Sequence, residues 1–269
     1  MNLTIILFLS FFPILLISIF IYTKDKNKEP IRLLLTFFIL GILSCFITLF
    51  LSKVFAKFLP FMRMNKQEMS FIDIFLYSFI GIALLEEICK WVIAFYKGYK
   101  NKEFEETYDI IIYSVFIALG FSFCENCFYI INNDIQILSI LLRGLSSVPG
   151  HVCDGIFMGY YLSMARQFKY QDNKKLEMQN IALSILIPTI LHGIYDFCII
   201  SNSKILIITF LAFIIFIYII SIKKLKMLSK YNHKLMPDIT FCKVCGAKMK
   251  DSHCQNCNDI NKIYKKGEK

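Results

Sequence analysis

Residues 71–96 read FIDIFLYSFIGIALLEEICKWVIAFY, a run long enough to cross a bilayer that still carries Glu86, Glu87 and Lys90. About 20 mostly apolar residues cover roughly 30 Å of hydrocarbon. The stretch therefore reads as a membrane span, and Glu86, Glu87 and Lys90 lie where water is scarce. Working outward, six more segments qualify as spans, at about 3–22, 33–52, 108–131, 135–165, 180–200 and 205–222. Composition agrees: the 269 residues are 57% hydrophobic and only 19% charged. A soluble chain could not keep that much apolar surface out of water, and disorder is excluded for most of its length. The sequence thus predicts an all-α polytopic membrane protein with about seven transmembrane helices.

The formal charge of +10 does not point to nucleic acid for the membrane domain, because basic residues in such proteins gather in cytoplasmic loops. With the N-terminus outside, 23 of the 30 Lys and Arg fall on inward segments and five on outward ones; Lys90 and Arg143 lie within spans. The expected location is the cell membrane, multi-pass, N-terminus out and C-terminus in. The first segment has no basic flank and no small-residue cleavage site before Lys24, so it reads as an anchor. The 53–70 segment, with four basic residues, is the discordant piece and is expected to lie on the membrane surface. The 135–165 segment is long for one crossing, and Pro149-Gly150 is expected to divide it into an oblique or re-entrant part and a helix to Ala165.

The four middle spans hold nearly all the intramembrane ionisable groups: Glu86, Glu87 and Lys90; Glu125 beside Asn126; Arg143, His151 and Asp154; His192 and Asp196. A charge at the bilayer centre costs a few kcal/mol or more, so such groups face the bundle interior. Helical spacing lets Glu86 pair with Lys90 and Asp196 hold a ring nitrogen of His192, both i, i+4. His151, Gly155 and Gly159 form a small-residue face for another helix or a substrate backbone. Counted from the inner boundaries, the groups share a layer roughly 15–25 Å deep at about 1.5 Å per residue.

Carboxylates and imidazoles around a wet cavity suit water activation: a glutamate takes the proton while imidazoles stabilise the oxyanion or the leaving amine. The same residues allow a second arrangement, in which His151, His192, Glu87 and Glu125 hold Zn²⁺ and a spare glutamate is the base. Both arrangements satisfy the sequence. An intramembrane relay in a proton-coupled carrier, or a non-catalytic cavity for lipid or peptide, would use the same residue types. Each also has a plainer structural role: ion pairing, interhelical clamping, or satisfying carbonyls freed at a proline. Arg143 reads chiefly as a carboxylate partner, and Cys124-x-x-Cys127 as apolar filler.

Four of these motifs, in order, resemble the PrsW family of intramembrane proteases, relatives of the CAAX prenyl protease and bacteriocin-immunity families. They are Glu86-Glu87-x-x-Lys90, Gly120-Phe-x-Phe-x-Glu125-Asn126, Arg143 ahead of Pro149-Gly150-His151, and His192-x-x-x-Asp196. The resemblance covers roughly residues 71–200. It implies cleavage of a single-span membrane protein near the membrane, as with anti-sigma factors. By that resemblance Glu86 and Glu87 are catalytic and Glu125, His151 and His192 complete the site, with Lys90, Asn126, Arg143 and Asp196 in support. Asp154 has no counterpart in the pattern.

The membrane domain is read as 1–222, followed by a basic linker (223–238), a small module (239–260) and a basic end (261–269). Within the module, Cys242-x-x-Cys245 and Cys254-x-x-Cys257 have the spacing of a closed four-thiolate zinc ribbon. So short an element cannot fold on a core alone, which gives the Zn²⁺ a structural role. Free thiols require the reducing cytosol, in agreement with an inward C-terminus. Lysines just after Ile222 are expected to meet anionic lipid headgroups.

Overall fold

A computed structural model describes residues 3–25, 27–65, 67–101, 104, 106–132, 137–201, 203–230, 240–241 and 248–249. Among these, seven long helices follow one another: α1 (Leu3–Lys24), α2 (Ile31–Phe55), α3 (71–99), α4 (Asp109–Asn132), α5 (Ile137–Tyr170), α6 (Lys174–Ile200) and α7 (Lys204–Lys230). Each overlies one of the seven segments read from the sequence, with α6 starting earlier, at Lys174, and α5 and α7 running on to Tyr170 and Lys230. Four of them (Ile31–Phe55, Asp109–Ile131 within α4, Lys174–Ile200 and Lys204–Lys230) are long and apolar enough to cross a membrane. Thr240–Phe241 and Lys248–Met249 pair as a short antiparallel hairpin. Cys242, Cys245, Cys254 and Cys257 lie outside the described residues.

The helix ends follow local chemistry. Ser70 and Asp73 form a reciprocal capping box at the start of α3, the Asp73 amide donating to Ser70 Oγ at 3.2 Å. Asp172 takes a left-handed conformation just after α5, and Asn173 then caps α6. Between its ends α3 widens into π-helical turns at Tyr77–Leu84 and Ala94–Tyr99, flanking the Glu86-Glu87-x-x-Lys90 segment. Such turns reset which residues face inward and recur at functional sites.

At the centre stands α4, its apolar window 83% buried, against 17% for α7 at the periphery. It packs on α2, α5 and α1, with Tyr113 stacked on Phe37 at 4.5 Å. Glycine makes these contacts close. A Cβ on Gly120 would collide with the Phe38 backbone, and one on Gly41 with the Ile117 carbonyl. Gly155 and Gly159 lie against the backbone of α4 at Ser114–Val115 and Ile110–Ile111. The small face of α5 is therefore consumed by helix packing and is not open to a substrate.

The 135–165 segment departs from expectation. Instead of an oblique or re-entrant part, α5 runs unbroken from Ile137 to Tyr170 with Pro149 inside it. Proline removes the amide that would bond the Leu145 carbonyl, but the Tyr218 hydroxyl of α7 donates to that region, 3.0 Å from Leu145 O and 3.1 Å from Ser146 O. An outside donor lets the helix continue.

Gly120→Ala should lower the apparent melting temperature in detergent by several degrees, since an inserted methyl with no space costs about 1–3 kcal/mol. Gly150→Ala, whose Cβ would meet only the Tyr195 ring at 3.7 Å, should leave it nearly unchanged. Differential scanning fluorimetry of the two variants checks this.

Candidate active site

Four helices aim their polar groups at one buried centre. From α3, the Glu87 carboxylate is fully buried, and its Oε1 accepts from Lys90 Nζ at 2.6 Å. The same oxygen meets His192 Nδ1 of α6 at 2.8 Å. A carboxylate only accepts, which assigns the proton to His192 Nδ1 and leaves Nε2 to face Asp196 Oδ2 at 3.5 Å and Glu86 Oε2 at 3.8 Å. Lys90 Nζ also lies 3.2 Å from His151 Nδ1 of α5. An ammonium only donates, so His151 Nδ1 carries a lone pair and Nε2–H donates to Glu125 Oε2 of α4 at 3.0 Å. Arg143 closes the line, donating from one guanidinium nitrogen to Glu125 Oε1 at 2.7 Å and from Nε to Asn126 Oδ1 at 2.8 Å. A continuous relay thus runs Arg143–Glu125–His151–Lys90–Glu87–His192.

The two imidazoles meet edge to face at 5.1 Å, and Lys90 lies over the Phe121 ring at 4.2 Å. That ring supplies a face the ammonium can use without hydrogen bonding. Both histidines follow a proline on their helix, Pro149 before His151 and Pro188 before His192. Beside them a cavity with about 60 Å³ open to water lies between α5, α6 and α7, lined by Glu125, Arg143, His151, Asp154, His192 and Asp196 among others. It is large enough for a few waters and has the polar partners they need.

All nine residues singled out in the membrane domain enter this network. Lys90 pairs with Glu86 at 3.8 Å and more closely with Glu87. Asp196 meets His192 at 3.5 Å, and Glu87 meets it more closely at 2.8 Å. Glu125 is held between Arg143 and His151 and is not among the donors that could share an ion. Asp154 takes that place instead: it is buried, with Oδ2 3.9 Å from His192 Nδ1. Glu87, His151, Asp154 and His192 each offer one ligand atom, all within 4.8 Å of one another. His151-x-x-Asp154 spacing puts both residues on one helical face, a signal the sequence carried. Cys124 packs with Cys45 and Phe121 and is not one of the four donors.

Two imidazoles and two carboxylates fit Zn²⁺ by donor type and number. Charge favours a cation as well. Counting Asp154, five carboxylates face Lys90 and Arg143, and one oxygen on each of Glu86, Glu87 and Asp196 is buried without a hydrogen bond. In low dielectric that excess must be relieved by protons or by a divalent ion.

Lys90→Met should destabilise the metal-free protein by about 3–5 kcal/mol, the cost of stranding a buried carboxylate. Adding Glu87→Gln should recover a large part of the loss. A double-mutant cycle on unfolding in detergent measures the coupling; additive losses would mean that the pair does not interact.

A family model described as "PrsW family intramembrane metalloprotease" matches residues 29–222. Among curated proteins the chain is similar to "Protease PrsW" of Oceanobacillus iheyensis, 36% identical over 215 residues, covering 80% of this chain and 91% of that one. It is also similar to "Protease PrsW" of Clostridioides difficile, 32% identical over 230 residues (84% and 92%). The Bacillus subtilis protein of the same name is 32% identical over 192 residues (71% and 80%). No solved structure matches the chain.

Proposed function

The chain belongs to the PrsW family of intramembrane proteases, and on that premise we propose that it cleaves a single-span membrane protein by activating water in the cavity between α5, α6 and α7. The observation that carries this reading is the convergence of Glu87, His151, Asp154 and His192 from three helices beside a polar cavity. In this reading those four residues would hold Zn²⁺, and the chemistry such an ion would supply is Lewis-acid polarisation of water and of the scissile carbonyl.

The side chains divide the remaining work. Glu86 is the general base: it meets Lys90 and His192 only at 3.8 Å, whereas Glu87 is tied to the same two groups at 2.6 and 2.8 Å. It takes a proton from water as the oxygen attacks the carbonyl carbon, then returns it to the leaving amine as the C–N bond breaks. Glu125 and Arg143 fix the ring of His151, and Asp196 faces the far nitrogen of His192. Lys90 holds positive charge beside the developing oxyanion. Burial keeps bulk water out, which strengthens each of these interactions.

The substrate class follows from the location of the site: a membrane-anchored protein cut within or near the bilayer, as in regulated proteolysis of an anti-sigma factor. All seven helices cross the membrane in this reading. The basic-residue bias sets the N-terminus outside and the tail in the cytoplasm. There residues 239–260 form the structural zinc ribbon through Cys242, Cys245, Cys254 and Cys257; the basic segment read as a linker from 223 begins instead as the last turns of α7, to Lys230. The family match ending at residue 222 supports the boundary of the membrane domain.

Glu86→Gln should reduce cleavage of a co-expressed single-span reporter at least 100-fold, the usual scale for loss of a general base, with insertion unchanged. Immunoblotting of reporter and enzyme in membranes checks both, and full cleavage by the variant would remove Glu86 from the chemistry. A C-terminal reporter active only in the cytoplasm should be active when fused after Lys230; an inactive fusion would reverse the orientation.

A further inference from the structure

We propose that the groove between the start of α2 and the end of α3 binds one anionic phospholipid, its phosphate at Lys97 and Lys100 and an acyl chain along the Leu33–Leu40 face of α2. The site goes beyond the proteolytic reading and takes from it only the seven membrane crossings.

The sequence supplies both halves of such a site. Leu33, Thr36, Phe37 and Leu40 recur at i, i+3, i+4 and i+7, which puts them on one face of α2 over roughly 10 Å. Across from them stand Tyr96 and Lys97 of α3, with Lys100 just beyond its end. The two sets line a groove of about 380 Å³. Among the described residues no acidic side chain lines it.

Local structure explains why the lysines stand there. α2 packs on the Leu85–Ile93 part of α3, beyond which α3 widens into the π-helical turns of Ala94–Tyr99. Gly98 and Tyr99 are buried, and a Cβ on Gly98 would strike the Ile110 side chain of α4. That contact with the core leaves Lys97 and Lys100 exposed on the outer side. The Lys100 amide donates to the Phe95 carbonyl at 3.2 Å, the i, i+5 bond of a wide turn. Its ammonium lies over the rings of Tyr96 at 4.3 Å and Phe95 at 5.2 Å. Ring faces hold a cation without neutralising it, so the charge stays available to an anion.

Polarity along the groove selects a lipid over a soluble anion. With every helix crossing, α2 begins and α3 ends at the same membrane face, the cytoplasmic one by the basic-residue bias. The lysines mark that end, and the apolar face of α2 runs from it toward the midplane. A phospholipid has the same layout, with a phosphate at the boundary and hydrocarbon within. Basic pockets between helices on the cytoplasmic side take anionic headgroups in this way. A free phosphate would leave Phe37 and Leu40 unused, and a zwitterionic lipid would bring a further positive charge to the lysines.

Native mass spectrometry of the full chain released from nanodiscs, with phosphatidylglycerol then titrated in detergent, tests the site. Lys97→Gln with Lys100→Gln should weaken the tightest-bound phosphatidylglycerol about 30-fold, the worth of two lysines beside anionic lipid. Lys223→Gln with Lys226→Gln takes the same charge off the exposed face of α7 and should leave that binding unchanged. Equal weakening by both pairs would mean diffuse attraction to a basic surface and would overturn the site. Phosphatidylcholine retained as tightly as phosphatidylglycerol would overturn it too. Thr36→Trp, at an exposed position, fills the groove with both lysines in place and should also release the lipid. Undiminished retention in that variant contradicts an acyl chain on this face of α2.

Discussion

The carboxylate of Glu87, buried in a bundle of apolar helices and shared between Lys90 and His192, is the contact on which the rest of this structure depends. An ionised group in hydrocarbon is tolerated only when its charge is met at close range. Meeting it fixes the rotation of α3 and the position of α6, and through Lys90 it reaches His151 on α5. Glu125 and Arg143 then follow because His151 has one nitrogen left to satisfy. Conversely, apolar packing alone would hold these helices in many rotations. The glycine contacts of α4 with α2 and α5 set the distances, and the polar relay selects the register.

Much of this was legible in the sequence. Runs of apolar residues marked where each helix lies, because a bilayer demands a minimum length, but not the polar turns by which α6 and α7 extend beyond them. Glu86, Glu87, Glu125, His151 and His192 stood out because ionisable groups are costly there. The pairing inside the layer was less readable. Helical spacing lets Lys90 reach Glu86 at i, i+4 and Glu87 at i, i+3, and in the structure the second contact is the shorter. Asp154 was visible three residues from His151, but only its approach to His192 from another helix gives it a place among the donors. Pro149 looked like a break, since the hydroxyl that rescues α5 comes from Tyr218, some 70 residues away.

The peripheral position of α7 and the central position of α4 reflect a division of labour. The buried helices carry the relay and leave little freedom around Glu87 and the histidines. The outer helix carries Tyr218 and borders the cavity while burying little of its own surface.

X-ray absorption at the zinc edge tests the central claim most directly, using full-length protein in which Cys242, Cys245, Cys254 and Cys257 are replaced by serine. The account predicts about one zinc per chain, with nitrogen and oxygen neighbours at about 2.0–2.2 Å, imidazole scattering and no sulfur. Loss of that zinc in Asp154→Asn would place the aspartate among its ligands. A protein that retains no zinc, or holds it through sulfur, would contradict a shared ion at Glu87, His151, Asp154 and His192.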